Sequence, residues 1–123
     1  MKVISTNNAP AAIGPYSQGI ISGGLFFASG QIAINPATGE IEGEDIVSQT
    51  TQVMKNIGAL LEAVGTDYTR VVKTSCFLAN MEDFATFNEI YASYFTGKPA
   101  RSCVAVKTLP KNVLCEVEVI AEV

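Results

Sequence analysis

An arginine and a glutamate near the end of the chain are the residues best suited to chemistry. Arg101 stands in the segment PARSCVAV, after a proline and at the start of an apolar strand. A guanidinium there can bind a carboxylate through two parallel hydrogen bonds, a geometry that lysine does not offer. The alternative for Arg101 is structural, because its stem can cover apolar surface or its charge can pair within the fold.

Glu116 belongs to the last strand, CEVEVIAEV, in which side chains alternate between two faces. The alternation puts Glu116, Glu118 and Glu122 on one face, and a solvated face explains the last two. If the strand of Arg101 pairs with the last strand as a hairpin around residues 109–112, Glu116 comes near the early part of the Arg101 strand. From these residues alone, a structural ion pair is the favoured explanation and a functional site is the alternative.

Two further segments carry weaker signals. Ser29 and Gly30 lie in FFASGQI, where a glycine inside a strand indicates a bulge or the close approach of another group. Tyr16 lies in GPYS, a rigid loop that would hold an aromatic hydroxyl in place. Either segment alone is also compatible with a structural role.

Composition removes several classes of site. The chain has no histidine, which excludes Ser-His-Asp and Cys-His nucleophile pairs, histidine general bases and most zinc sites. Its three cysteines, Cys76, Cys103 and Cys115, form no CxxC pair, and we interpret them as small buried hydrophobic residues. A site in such a chain is expected to work without a metal and without a cofactor.

The charge pattern argues against nucleic acid as a partner. Eight Lys and Arg residues against 12 Asp and Glu residues give a formal net charge of −4, and the basic residues form no run that would neutralise phosphates. No apolar run reaches membrane-spanning length, and the first ten residues lack the apolar core of a signal peptide. We therefore expect a cytoplasmic protein that binds neither nucleic acid nor membrane.

Hydrophobic periodicity predicts the elements that position these residues. Apolar residues recur at three- and four-residue spacing from 45 to 64, which predicts a helix with Asp45 or Glu44 at its start and Gly65 just past its end. A second helix with an aromatic face opens at Asn80. Strands are expected at residues 2–5, 20–22, 25–34, 71–79, 102–108 and 113–123.

These elements predict one α+β domain over residues 1–123, with about six strands and two helices. Helices that belong to one sheet cover the same face, which leaves the other face for a partner. A chain of this length with 48% hydrophobic residues also carries more apolar surface than one small core can bury. Both features predict a closed oligomer.

Together these segments resemble the RidA (YjgF-type) family of enamine/imine deaminases over nearly the whole chain. The most specific match is PARSCVAVKTLPKNVLCEVEVIA, which resembles the family signature of Pro-x-Arg-Ser, an apolar strand, a Leu-Pro turn and an apolar strand with a glutamate. NAPAAIGPYSQG, SGQIAINPATGE and DFATFNEIY support the resemblance. The segment FTGKPARS is shorter than in many members, so the substrate range stays open.

The resemblance implies a chorismate-mutase-like subunit, with a six-stranded mixed sheet and two helices packed on one face. It also implies a homotrimer whose sheets face inward, with a site in each cleft between subunits. Family members hydrolyse 2-aminoacrylate and 2-aminocrotonate, the enamines of 2-iminopropanoate and 2-iminobutanoate, to 2-oxo acids and ammonia.

By the same resemblance, Arg101 binds the substrate carboxylate and Glu116 orients the attacking water. Five further positions match the rest of the pocket wall: Tyr16, Ser29, Gly30, Asn88 and the backbone at Cys103. The cleft would equally suit a protein that binds or senses 2-oxo acids without turnover. A third alternative is the ribonuclease or translation-inhibitor activity assigned to some members, against which the acidic balance and the absence of histidine count.

Overall fold

A computed structural model describes all 123 residues and shows a mixed six-stranded sheet with two α-helices. The α+β class and the counts of strands and helices are therefore confirmed. The strands are β1 (Lys2–Ile4), β2 (Gly19–Ser22), β3 (Leu25–Ala28), β4 (Val71–Leu78), β5 (Ala100–Ala105) and β6 (Cys115–Glu122). The helices are α1 (Ile46–Ala63) and α2 (Phe84–Tyr94), and 3₁₀ turns occupy Tyr68–Arg70, Met81–Asp83 and Pro110–Asn112.

The spatial order of the strands is β1-β2-β3-β6-β4-β5. All neighbours are antiparallel except β4 and β5, which run parallel. Parallel neighbours need a crossover connection, and α2 provides it between these two strands. β5 consequently forms one edge of the sheet, whereas β6 lies in the middle.

The hairpin that the sequence allowed between the Arg101 strand and the last strand does not form. β4 lies between them, with Thr74 opposite Arg101 on one side and Phe77 opposite Glu116 on the other. The reason is topological, because the crossover through α2 carries β5 to the outer side of β4. β6 then enters between β3 and β4, where backbone groups on both of its edges find partners.

The sequence correctly predicts both ends of helix α1, but it predicts strand β3 to be longer than it is. Asp45 caps α1, because its Oδ1 accepts a hydrogen bond from the Ser48 amide at 2.7 Å. Gly65 follows the helix with φ of +77°, the left-handed conformation that glycine adopts at little cost. The expected strand over 25–34 ends at Ala28, and beyond it Gln31 forms only an isolated bridge to Val117.

The two faces of the sheet differ in what covers them. The side chains of β6 alternate as predicted, with four buried toward the helices: Cys115, Val117, Val119 and Ala121. The opposite face, which we call the open face, is not covered by a helix and includes Phe27, Phe77, Val104 and Ile120. Phe27 and Val104 are 41% and 48% exposed there.

Neither helix could span a lipid bilayer, given its length and apolar content.

Candidate functional site

Arg101 points from the edge strand β5 toward helix α2. Its Nη1 donates a hydrogen bond to Oδ1 of Asn88 at 2.6 Å. The guanidinium carbon lies 4.7 Å from the ring centroid of Tyr91 and 5.5 Å from that of Phe84. The two rings and the amide fix the plane of the guanidinium, and its hydrogen-bond partner is neutral. Its remaining N–H groups and its full positive charge are therefore free to bind an anion.

Arg101 and Asn88 line a pocket of about 500 Å³, which we call the arginine pocket. Its walls come from the second half of α2 and from the segment that leads into β5. The lining residues are Asn88, Tyr91, Ala92, Phe95, Thr96, Lys98, Pro99 and Arg101. The pocket is thus lined by two cations and by no carboxylate.

Cys103 lies two residues beyond Arg101 on β5 and on the same face of the sheet. Its side chain is half-buried and does not line the arginine pocket. Burial raises the pKa of the Cys103 thiol, and the nearby charge of Arg101 offsets part of that increase. Burial also raises the pKa of Cys76, opposite it on β4, to about 12. Both thiols are therefore protonated at neutral pH, in keeping with their interpretation as small apolar residues.

Glu116 lies at a second pocket, of about 450 Å³, which we call the glutamate pocket. Three of the other predicted site residues line it as well: Tyr16, Ser29 and Gly30. The remaining lining residues are Pro10, Ala11, Ile13, Gln31, Ile32, Ile34, Pro110 and Lys111. The walls come from the loop before β2, the segment after β3 and the turn before β6.

Gly30 allows the carboxylate of Glu116 to lie directly against the backbone. A Cβ atom at position 30 would overlap Oε2 of Glu116 and lie 3.0 Å from its carboxyl carbon. Gln31 holds this segment in place, because its backbone N–H and C=O both bond to Val117, at 2.8 and 3.1 Å. Of the two explanations for a glycine here, the structure shows the close approach of another group.

The environment of Glu116 makes its carboxylate more basic than a free glutamate. Burial is the main cause that raises its pKa above the ordinary value of 4.5, and the charge of Glu118 on the same face adds to it. A carboxylate with a raised pKa is a better proton acceptor near neutral pH. Glu116 therefore has the properties expected of a general base.

Hydrogen bonds within the chain hold the loop that carries Tyr16. Ser29 donates its hydroxyl proton to the Ser17 carbonyl at 2.5 Å. The buried Gln18 side chain accepts from the Thr6 amide at 2.6 Å and donates to the Pro10 carbonyl at 2.8 Å. The Ser29 hydroxyl thus has its proton engaged by the loop, and it keeps only acceptor capacity toward a ligand.

Six of the seven predicted site residues fall into two groups in the single chain, and Cys103 lines neither pocket. Asn88 and Arg101 meet in the arginine pocket on the helix-covered face, whereas the group around Glu116 meets on the open face. Arg101 lies opposite Thr74 of β4, and Glu116 lies opposite Phe77, three residues further along the same strand. Together with the two strand spacings from β5 across β4 to β6, this places the Cα atoms of Arg101 and Glu116 about 14 Å apart. One chain therefore offers two half-sites that cannot close on the same small ligand.

Sequence reasoning missed three contributors to these half-sites. Phe84 and Tyr91 belong to the aromatic face predicted for the second helix, yet both rings contact the guanidinium of Arg101. Gln18 carries no sequence signal that separates it from a surface glutamine.

No cluster of three or more His, Cys, Asp or Glu side chains is arranged to hold a metal ion.

Comparisons with known proteins agree with this arrangement of elements. The family model described as Endoribonuclease L-PSP matches residues 6–123. The Lactococcus lactis protein named putative regulator AldR is 60% identical over 100% of this chain and 98% of its own length. The Escherichia coli protein named 2-iminobutanoate/2-iminopropanoate deaminase is 48% identical over 98% of this chain and 96% of its own length.

A solved crystal structure shares the fold of this chain. The crystal structure of E. coli TdcF with bound serine superimposes with a TM-score of 0.94 at 42% identity, covering 100% of this chain and 98% of that chain. Family members thus carry the names of deaminases, regulators and endoribonucleases on one shared fold. With a family match over residues 6–123 and relatives this similar along their full length, the chain belongs to the endoribonuclease L-PSP family, also called the YjgF/RidA family.

Proposed function

We propose that this protein hydrolyses small 2-imino acids and their enamine tautomers to 2-oxo acids and ammonia, at sites formed between two copies of the chain. The observation that carries the proposal is the division of the predicted residues into two half-sites. Arg101 is prepared to bind a carboxylate, and Glu116 is prepared to accept a proton. They lie on opposite faces of one sheet, so they can act on one molecule only if they come from different subunits.

The surfaces needed for such an assembly are available. Arg101 lies on the edge strand β5, and Glu116 lies on the open face, whose exposed Phe27 and Val104 suit a subunit interface. If the edge of one subunit packs on the open face of the next, the two half-sites meet. Repeating that contact around an axis gives a closed ring, and the homotrimer expected from the family resemblance is such a ring.

The mechanism follows from the two side chains. Arg101, oriented by Asn88, binds the carboxylate of the imino acid and sets the orientation of C2. Glu116 of the neighbouring subunit accepts a hydrogen bond from the attacking water and takes its proton as oxygen adds to C2. Glu116 returns this proton to the nitrogen, which gives the tetrahedral carbinolamine. The hydroxyl proton of the carbinolamine then moves to the nitrogen by way of Glu116 as the C–N bond breaks, so the C=O group of the 2-oxo acid forms and ammonia leaves. No oxidant or reductant is consumed.

The names of two relatives support a small amino-acid-like ligand. One relative is named 2-iminobutanoate/2-iminopropanoate deaminase, and the TdcF structure contains serine. Both ligands carry a carboxylate next to a carbon that bears nitrogen. The assay that tests the proposal is ammonia release from 2-aminoacrylate generated in situ by a dehydratase. Release no faster than in buffer contradicts it, and an active monomer contradicts the shared site.

A second function, binding of 2-oxo acids without turnover, is favoured by one observation. The relative with 60% identity is named a putative regulator. Glu116→Gln separates the two functions, because the amide keeps the size of the side chain and removes its proton acceptance. For a deaminase we expect this variant to bind 2-oxobutanoate normally and to lose most turnover. Turnover at the parent rate would instead favour the binding protein.

A further inference from the structure

The arginine pocket carries a second cation that the reaction on a simple imino acid does not use. Lys98 lines the pocket together with Arg101, and no Asp or Glu is among the lining residues. The chain as a whole has a net charge of −4, so this pocket, with two positive charges and no carboxylate, is opposite in charge to the rest of the protein. This local excess of positive charge suits a ligand with more than one negative group.

The backbone holds Lys98 in a conformation that lysine rarely adopts. Its φ is +52°, in the left-handed region, and its amide donates to the Phe95 carbonyl at 3.2 Å. On one side, Gly97 lies so close to Thr69 that an added Cβ would be 3.2 Å from the Thr69 carbonyl oxygen. On the other side, the ring of Pro99 restricts the chain. Strained conformations of this kind concentrate at ligand sites.

The pocket is also larger than a three- or four-carbon acid requires. Its volume of about 500 Å³ lies in the range of pockets that bind drug-sized ligands. Arg101 occupies the end of the pocket formed by Asn88 and Tyr91, whereas Lys98 belongs to the segment that enters β5. Lys98 is exposed and lines the same pocket as Arg101, so a ligand bound to Arg101 by one carboxylate shares that pocket with a second cation.

We infer that Lys98 forms a second anion subsite in the arginine pocket, and that the preferred substrates are 2-imino dicarboxylic acids. This inference rests on the proposed function and specifies its substrate class. Water adds to C2, the C–N bond breaks and ammonia leaves, as with a monocarboxylic substrate. The second carboxylate is not consumed, so the step needs no further reactant.

A matched pair of ligands tests the subsite without requiring turnover. 2-Oxoglutarate and 2-oxopentanoate have the same five-carbon chain, but 2-oxoglutarate ends in a second carboxylate where 2-oxopentanoate ends in a methyl group. We expect calorimetry on the intact protein to show about three- to tenfold tighter binding of 2-oxoglutarate, the range for one partly exposed charge pair. Lys98→Met keeps the unbranched stem, removes the charge and should abolish this preference.

Lys55→Met is the matched control, because Lys55 is exposed on α1 and lines neither pocket. It removes the same unit of charge and should leave the preference intact. Equal binding of the two ligands by the parent protein overturns the inference, as does a preference that survives in Lys98→Met. Loss of the preference in both variants would show that only the net charge matters and would also overturn it.

Turnover separates the failure of this inference from the failure of the proposed function. The imines of glutamate and norvaline can be generated in situ by an amino-acid oxidase, and ammonia release compared for each. Faster hydrolysis of the glutamate imine, lost in Lys98→Met, supports both proposals. If neither imine is hydrolysed but the Lys98-dependent binding preference persists, the deaminase function is wrong and the dicarboxylate subsite stands. If both imines are hydrolysed equally well, the function stands and the substrate class is wrong.

Discussion

Arg101 and Glu116 project from opposite faces of the same sheet, on strands separated by β4. Within one chain this arrangement rules out the structural ion pair that the sequence alone favoured. It also means that removing either side chain does not leave the other as a buried charge without its partner in the same subunit. Loss of function and loss of stability should therefore be separable at both positions.

Arg101→Ala should abolish 2-oxo acid binding and turnover together while leaving the chain folded. A hydrogen bond to a charged group contributes about 1.5–3 kcal/mol, so losing a two-bond contact with a carboxylate should cost about a hundredfold or more. Arg101→Lys should recover only part of this, because an ammonium cannot reproduce the planar fork. Calorimetry, kinetics and thermal melting on the three proteins provide the comparison. An Arg101→Ala variant with parental activity would refute the role.

Two inactive variants should restore activity when they assemble together. If each site takes Arg101 from one subunit and Glu116 from the next, a mixed ring of Arg101→Ala and Glu116→Gln subunits contains an intact site. In randomly mixed trimers about a quarter of all sites should be intact. The measurement is ammonia release after joint refolding or co-expression, with each variant alone as the control. No recovery in verified mixed oligomers would contradict a site shared by Arg101 and Glu116 of neighbouring subunits.

Turnover should decline with falling pH through the pKa of Glu116. The ionised carboxylate accepts the proton, and burial together with Glu118 holds its pKa above 4.5, so the decline should begin at a higher pH than for a free glutamate. Glu118→Gln removes the like charge and should move this acid limb to lower pH. Profiles of kcat/KM against pH for the parent and for Glu118→Gln test the shift. The control is Glu122→Gln, on the same face, which should leave the limb in place.

Gly30→Ala should displace the carboxylate of Glu116, because the added methyl group occupies the space of Oε2. Displacing a catalytic group by about 1 Å can cost on the order of a hundredfold in rate, and we expect a loss of that size. The melting temperature should fall as well. In a Glu116→Ala background the overlap is gone, so the same substitution should cost little stability. A melting temperature lowered equally in both backgrounds would show that the strain at position 30 has another source.

The sequence predicted the parts of this protein that depend on local rules. The alternation along β6 correctly placed Cys115 and Glu116 on opposite faces, because side-chain direction in a strand follows from the backbone alone. Of the two residues proposed for the start of α1, Asp45 is the cap, because its short side chain accepts a hydrogen bond from a nearby backbone amide. Pairing between strands is a non-local choice, and the short, turn-rich link between β5 and β6 looked like a hairpin although a third strand lies between them.

The contacts of the arginine could not be predicted for a related reason. Asn88 is 13 residues before Arg101, and their hydrogen bond exists only because α2 crosses back over the sheet. Phe84 and Tyr91 reach the guanidinium through the same crossing. A periodic aromatic face in the sequence predicts burial, but it does not show that a charged group will be among the residues it packs against.

Under the proposed deaminase function, the protonated thiol of Cys103 has a chemical consequence. An imine carbon that accepts water also accepts stronger nucleophiles, and a thiolate beside the substrate would be alkylated by it. Burial keeps the Cys103 sulfur in its poorly nucleophilic thiol form, although it is two residues from the arginine that would bind that substrate. The same desolvation that makes this side chain inert would thus limit addition of the Cys103 sulfur to the proposed substrate.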